Sequence, residues 1–338
     1  MLVDPPAEYS DSAATADNGR GRPSWAALRT WAGPASLLAA AFVPLVITSP
    51  LRLQIFTVAF LNASVVASLV ISLGYVGMLN LSQGTFYGLG AYTTAILVTD
   101  HGWSFTLALL AAAIVAGAGG VLLSVASVRV KGDYFVLVSL GTTIAVAQLL
   151  ANLPDLTRGR EGFFGLPPMS VLGLSFNSPV TAYYLCLGLL AVVCLCVYRV
   201  TRSFLGRAML VVRYDDVAAR SMGISPFRIR VTAMMLSSAL AGLSGAFLVG
   251  TLQFISPADF NFESSFIFSL YVIIGGMASL SGSAAVALVF TFINEAFRGL
   301  SDYSLGVVGF AVLLAVFLRA GVLTAVIRNW RPRKRAEV

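Results

Sequence analysis

Charged side chains are scarce in this chain. They make up 11% of its 338 residues, where a soluble globular domain carries about a quarter. Histidine occurs once, at position 101, cysteine three times, and lysine only at positions 131 and 334. Each shortage closes off a class of function. A single histidine, at a loop edge beside Asp100 and Trp103, builds no metal cluster, and no nucleophile–base arrangement is visible. A membrane-embedded enzyme is therefore disfavoured, and neither a metal nor a cofactor is expected. Cys186, Cys194 and Cys196 fall in one apolar stretch and read as small apolar residues, giving neither a disulfide framework nor a zinc site. A phosphate loop of the form G-x4-G-K-[ST] needs a lysine that neither Lys131 nor Lys334 supplies, so any ATPase is a separate chain. Glu295 is the only carboxylate inside an expected span, within a turn of its outer end and near Arg298. Proton- and sodium-coupled carriers keep an ionisable group near the midplane. A stand-alone secondary transporter or channel would lack its coupling group here.

What the chain does have is apolar length. Hydrophobic residues make up 58% of it, in runs approaching the roughly 20 residues that cross a bilayer as a helix. The runs are continuously apolar rather than alternating, which excludes a β-barrel and leaves an all-α polytopic helix bundle. About ten spans (eight to ten) are expected, near 33–49, 53–73, 77–98, 103–127, 134–152, 179–198, 231–252, 264–280, 284–299 and 304–318. Residues 1–30 read as a disordered tail rather than a signal peptide. Residues 31–325 read as the membrane domain and 326–338 as a basic tail. With both termini cytoplasmic, the inner side receives all but four of the 22 basic residues, the exceptions being Arg52, Arg158, Arg160 and Arg298. The net charge of +7 is thus a topology signal and no sign of nucleic-acid binding.

The inner loop at about 199–230 is punctuated. Asp215 and Asp216 offer N-capping carboxylates for a short helix over Val217–Met222 that includes Ala218, Ala219 and Arg220. Gly223 supplies a left-handed C-terminal cap, and Pro226 prevents continuation. So short a helix is marginal alone and makes sense if another protein's groove receives it. Arginine-rich inner loops also fix topology and touch lipid headgroups without any partner, which explains the arginines but not the punctuation.

One expected span, GYVGMLNLSQGTFYGLGAYTTAILV, carries Asn80, Ser82, Gln83 and Thr85 where leucine would insert more readily. On a helix, Asn80, Gly84 and Gly88 share a face. The polar groups either bond to a neighbouring helix or line a wet translocation path. Further small-residue stripes (Ser238, Gly242, Ala246; Ser237, Ala241, Gly245; Ala112, Ala116, Gly120) are packing features. Gly275 and Gly276 loosen the eighth span.

The stretch GRAMLVVRYDDVAARSMGISPFRIRVTAMMLSSALAGLSGAF resembles the coupling-loop region of branched-chain amino acid ABC importer permeases, most narrowly their second membrane subunit. The family's E-A-A-x3-G element is matched by Val217-Ala218-Ala219-x3-Gly223, with valine replacing the acid. GYVGMLNLSQGTFYGLGAYTTAIL, VRVKGDYFVLVSLGTTI, LTRGREGFFGLPP and QFISPADFNFESSFIFSLYVIIGGMASLSGSAAVAL resemble further family segments in the family's order, over about 70–325. Arg158, Ala278 and Ala320 depart from the usual pattern. The resemblance implies an ABC importer permease fold in a bacterial inner membrane. It implies two ABC ATPase subunits on the short inner helix and a homologous second permease. A periplasmic solute-binding protein would dock on outer loops near 153–178 and 253–263. The solute class implied is branched-chain or other amino acids, with short amides or urea as the alternative.

Overall fold

The computed structural model describes residues 44, 49–126, 134–166, 170–171, 174–175 and 178–296. The expected tails, the basic turn near 128–133, the span at 304–318 and nearly all of that at 33–49 lie outside these residues, as does the side chain of Glu295.

The described chain is a multi-pass, all-α membrane bundle. Its helices are α1 (Pro50–Leu69), α2 (Gln83–Thr99), α3 (Phe105–Ala126), α4 (Tyr134–Asn152), the single-turn α5 (Pro154–Thr157), α6 (Pro179–Arg202), α7 (Phe204–Tyr214), α8 (Asp216–Ser221), α9 (Pro226–Leu252), α10 (Phe262–Gly275) and α11 (Leu280–Ala296). Among the described residues five segments are long and apolar enough to cross a membrane: α1 with its continuation, α3, α4, α6 and α9. α2, α10 and α11 are shorter. The expected count of about ten is therefore not reached within the described residues.

Proline starts α1, α6 and α9, where its missing N–H costs nothing. α9 and α1 form the centre, and both bury most of their length. α3, α4 and α6 turn apolar residues outward, among them Ile114, Leu122, Leu137, Ile144 and Leu195, as helices facing lipid do.

Small residues set how closely α9 approaches its neighbours. A Cβ on Gly90 of α2 would overlap the Gly242 backbone, one on Gly245 would overlap the Tyr87 carbonyl, and one on Gly242 would strike Ala116 of α3. The stripes read from the sequence on α3 and α9 thus face each other and α2, backbone to backbone.

Two segments far apart in sequence, both expected on the outer side, meet in a ribbon. β1 (Phe163–Phe164) pairs antiparallel with β4 (Phe254–Ile255), Phe163 opposite Ile255. A second small hairpin joins β2 (Ser170–Val171) and β3 (Leu174–Ser175). Arg158, at φ 58°, lays its guanidinium over the Phe163 ring at 4.6 Å and reaches Asp100 at 3.3 Å.

Candidate functional site

The expected span at 77–98 is not one helix. α1 runs on as a π-helical turn over Val70–Val76, Gly77 closes it at φ 79°, and α2 begins only at Gln83. Residues 80–82 are buried without helical structure, so their backbone groups need other partners. Side chains supply them. Leu81 N–H donates to Ser139 Oγ at 3.1 Å, Ser82 N–H to Asn80 Oδ1 at 2.9 Å, Thr143 Oγ1 to the Leu81 carbonyl at 2.7 Å and Ser269 Oγ to the Asn80 carbonyl at 3.2 Å. Asn80 Nδ2 donates to Gln83 Oε1 at 3.0 Å, and Gln83 Nε2 to Ser68 Oγ at 2.8 Å and to Ser237 at 3.2 Å. The polar residues of this segment therefore bridge the break to α1, α4, α9 and α10.

Asn80 precedes α2, so of the expected helical stripe Asn80, Gly84 and Gly88 only the two glycines are helical. Asn80 meets α10 through Ser269 and Gly84 meets it through Ser265 Oγ at 3.0 Å, whereas Gly88 packs against the ring of Phe260 in the turn before α10. Thr85 is buried, and its hydroxyl finds no partner among the described residues. Gly275 packs on the backbone of Ser283, and Gly276, at φ 108°, breaks the chain between α10 and α11.

In the loop expected on the inner side, α8 runs Asp216–Ser221, one residue earlier at each end than expected. The Asp215 side chain caps it by accepting from Val217 N–H at 2.7 Å. Gly223 sits at φ 75°; its N–H reaches the Arg220 carbonyl, and Ile224 N–H reaches that of Ala219 at 2.9 Å, the paired bonds of a Schellman ending. Pro226 opens α9. Asp216 is held by Arg230 of α9 at 2.9 Å. Ala219 is fully buried, whereas Ala218, Arg220, Val217 and Met222 are exposed. From α7, Arg213 bonds the Gly74 carbonyl of the π-helical turn and lies 3.5 Å from Met277 Sδ.

At the opposite end of α9 lies a cavity of about 830 Å³ between α1, α9, α10, α11 and the turn at Pro257–Phe260. Asn62, Tyr87, Asp259 and Asn294 are among its lining residues. Sequence reasoning missed these residues, which come from four separate segments. Asn62 could have been found as an amide in an apolar run. Asp259 lies outside the spans. Partial burial pushes its carboxyl pKa up, against the opposing bond from Ser256 N–H.

Comparison with known proteins bears on all these elements. Residues 51–325 match the family described as branched-chain amino acid transport system / permease component. The high-affinity branched-chain amino acid transport system permease protein LivM of Escherichia coli (strain K12) is 34% identical over 275 residues, covering 74% of this chain and 64% of LivM. LivM of Salmonella typhimurium (strain LT2) matches to the same extent. LivH of Escherichia coli (strain K12), a permease protein of the same transport system, is 26% identical over 264 residues, covering 72% of this chain and 84% of LivH. The chain thus spans 64% of the length of the LivM proteins it matches. No solved structure matches it. With the family match running from α1 past α11 and both break and capped helix inside it, the chain belongs to the branched-chain amino acid transport system permease family.

Proposed function

We propose that the chain is a membrane-spanning subunit of an ATP-binding cassette importer in a bacterial inner membrane, carrying branched-chain or related amino acids. It hydrolyses nothing itself. Two separate ATPase subunits drive it, a homologous second permease completes the passage, and a periplasmic binding protein delivers the solute to the outer loops. About ten spans with both termini cytoplasmic put α8 on the inner face. Asn80, Ser82, Gln83 and Thr85 border the translocation path at the helix break.

The observation that carries this reading is α8. It is a six-residue helix capped at both ends, tied to α9 by Asp216–Arg230, with Val217 and Met222 exposed at 70% and 58%. Isolated helices of that length do not persist in water. One that is capped, anchored and left with apolar side chains uncovered suits a groove on another protein. Force applied there passes through Arg230 into α9, and through Arg213 of the adjoining α7 to Gly74 and the π-helical turn.

The test is uptake into proteoliposomes. With the ATPases, sister permease and binding protein present, leucine accumulates on ATP addition and not without it. Accumulation against a gradient by this chain alone overturns the reading.

A further inference from the structure

We propose that Arg213 is the positioning residue of an inner gate. It pins a junction at which the bundle's two broken segments lie backbone on backbone, and α8 is placed to withdraw it. This deepens the importer reading above and rests on it.

Two interruptions of regular helix meet at one place. The first is the π-helical turn at the end of α1, closed by Gly77. The second is the turn after α10, where Gly276 sits at φ 108° and α11 starts only at Leu280. A Cβ on Gly74 would overlap the Met277 carbonyl, and one on Gly275 would overlap the backbone of Ser283 and Gly282. The first contact joins the two breaks to each other, and the second folds α11 back on α10. At the Gly74–Met277 seam backbone meets backbone with no side chain from Gly74 to take up a shift. Close-packed contacts of that kind switch between arrangements rather than deform gradually.

Arg213 sits at the edge of this seam. The last carbonyls of a helix have no partner within it. Here the N–H groups of Gly77 and Met78 both turn back to the Ser72 carbonyl, and the Gly74 carbonyl takes the Arg213 guanidinium instead. A cation is favoured at that end of a helix. Neither α1 nor its continuation has a basic residue in its last turn, so α7 supplies one. The other terminal nitrogen of Arg213 lies 3.5 Å from Met277 Sδ, across the seam. Its stem passes Gly77, where a Cβ would come to 3.0 Å from the Arg213 Cγ. One side chain thus touches both broken segments.

The pin is built to release. Among the described residues the ion pairs are Arg158–Asp100 and Arg230–Asp216, so no carboxylate holds Arg213. It grips a neutral carbonyl and a thioether, and its contact with the thioether is exposed. Only Asp215 separates α7 from α8, so a partner protein that displaces α8 moves Arg213 with it. Arg230 and Arg213 therefore have different tasks. The first fastens α8 to α9, and the second carries the position of α8 to the seam.

The experiment uses the complete importer in proteoliposomes, with Thr85→Cys, buried in α2 beyond the break, as the reporter of opening. A membrane-impermeant maleimide is added without nucleotide, and the parent lacking Thr85→Cys gives the background from the native cysteines. Arg213→Gln is expected to speed labelling about tenfold, the effect of one charge-assisted hydrogen bond on a closed–open equilibrium. Maximal leucine uptake should fall by about the same factor with KM unchanged, because solute capture at the outer face is untouched. Arg213→Lys keeps the charge but loses the fork, and should fall between Arg213→Gln and wild type. Gly74→Ala keeps Arg213 and wedges the seam from the other side, so it should speed labelling as well. Wild-type labelling in Arg213→Gln overturns the proposal, whatever uptake does. So does an Arg213→Gln chain that no longer co-purifies with its sister permease, since Arg213 would then be a structural prop. If the wild-type assembly imports no leucine, the importer reading fails first; if it does and Arg213→Gln labels like wild type, only the gate fails.

Discussion

The two ends of α9's packing differ in kind. Against α2 and α3 it lies backbone on backbone, with Gly90, Gly242 and Gly245 at contacts where no Cβ fits. Against α1, α10 and α11 it borders an open, partly polar volume. Tight glycine contact holds two helices at one distance and register, whereas a cavity leaves side chains unpaired and able to rearrange at lower cost. The bundle therefore has a fixed seam and a loose one at successive levels of the same helix.

That contrast can be broken at the fixed seam first. Gly90→Leu should cost about 3 kcal/mol or more by overpacking, because its neighbour is backbone that cannot turn aside. The expected outcome is little assembled protein in the membrane, measured by yield and thermal melting in detergent. At the helix break, Gln83→Leu should cost about 1–3 kcal/mol by stripping partners from buried Ser68 and Ser237, read as a lower melting temperature in an inserted protein. Gly223→Val meets no atom within 4 Å, so its effect is confined to the left-handed backbone. It should weaken α8 by about 1–2 kcal/mol, and ATP hydrolysis by the assembled importer should separate from leucine uptake. Arg230→Gln removes a half-exposed ion pair worth at most about 1 kcal/mol and should lower uptake slightly without altering the melt. Gly141→Ala, exposed on α4 with nothing within 4 Å, sharpens the comparison from the other side. It should stabilise by about 0.5–1 kcal/mol, since a glycine outside the seam has no packing role.

Much of the architecture was legible from hydropathy alone. α4 and α6 begin where apolar length says they should, and α9 only a turn and a half earlier. The break after Gly77 was not legible, because the segment is uncharged and long enough to span, and hydropathy does not register backbone conformation. The signal was present all the same. Asn80, Ser82 and Gln83 are the side chains a buried, non-helical backbone needs, and a simple helix would not require them. The capped helix α8 was readable because its stop and start residues are local. The cavity was not, because Asn62, Tyr87, Asp259 and Asn294 come together only through tertiary contacts between distant segments.

The ribbon between Phe163–Phe164 and Phe254–Ile255 ties together two segments about 90 residues apart. Neither can be redesigned as an independent surface. Swapping in a relative's loop at one position would leave the retained strand facing a mismatched edge, with Phe163 and Ile255 no longer in register. Any attempt to re-target this face should therefore exchange both segments as a unit, and mutational drift in one should be answered by change in the other.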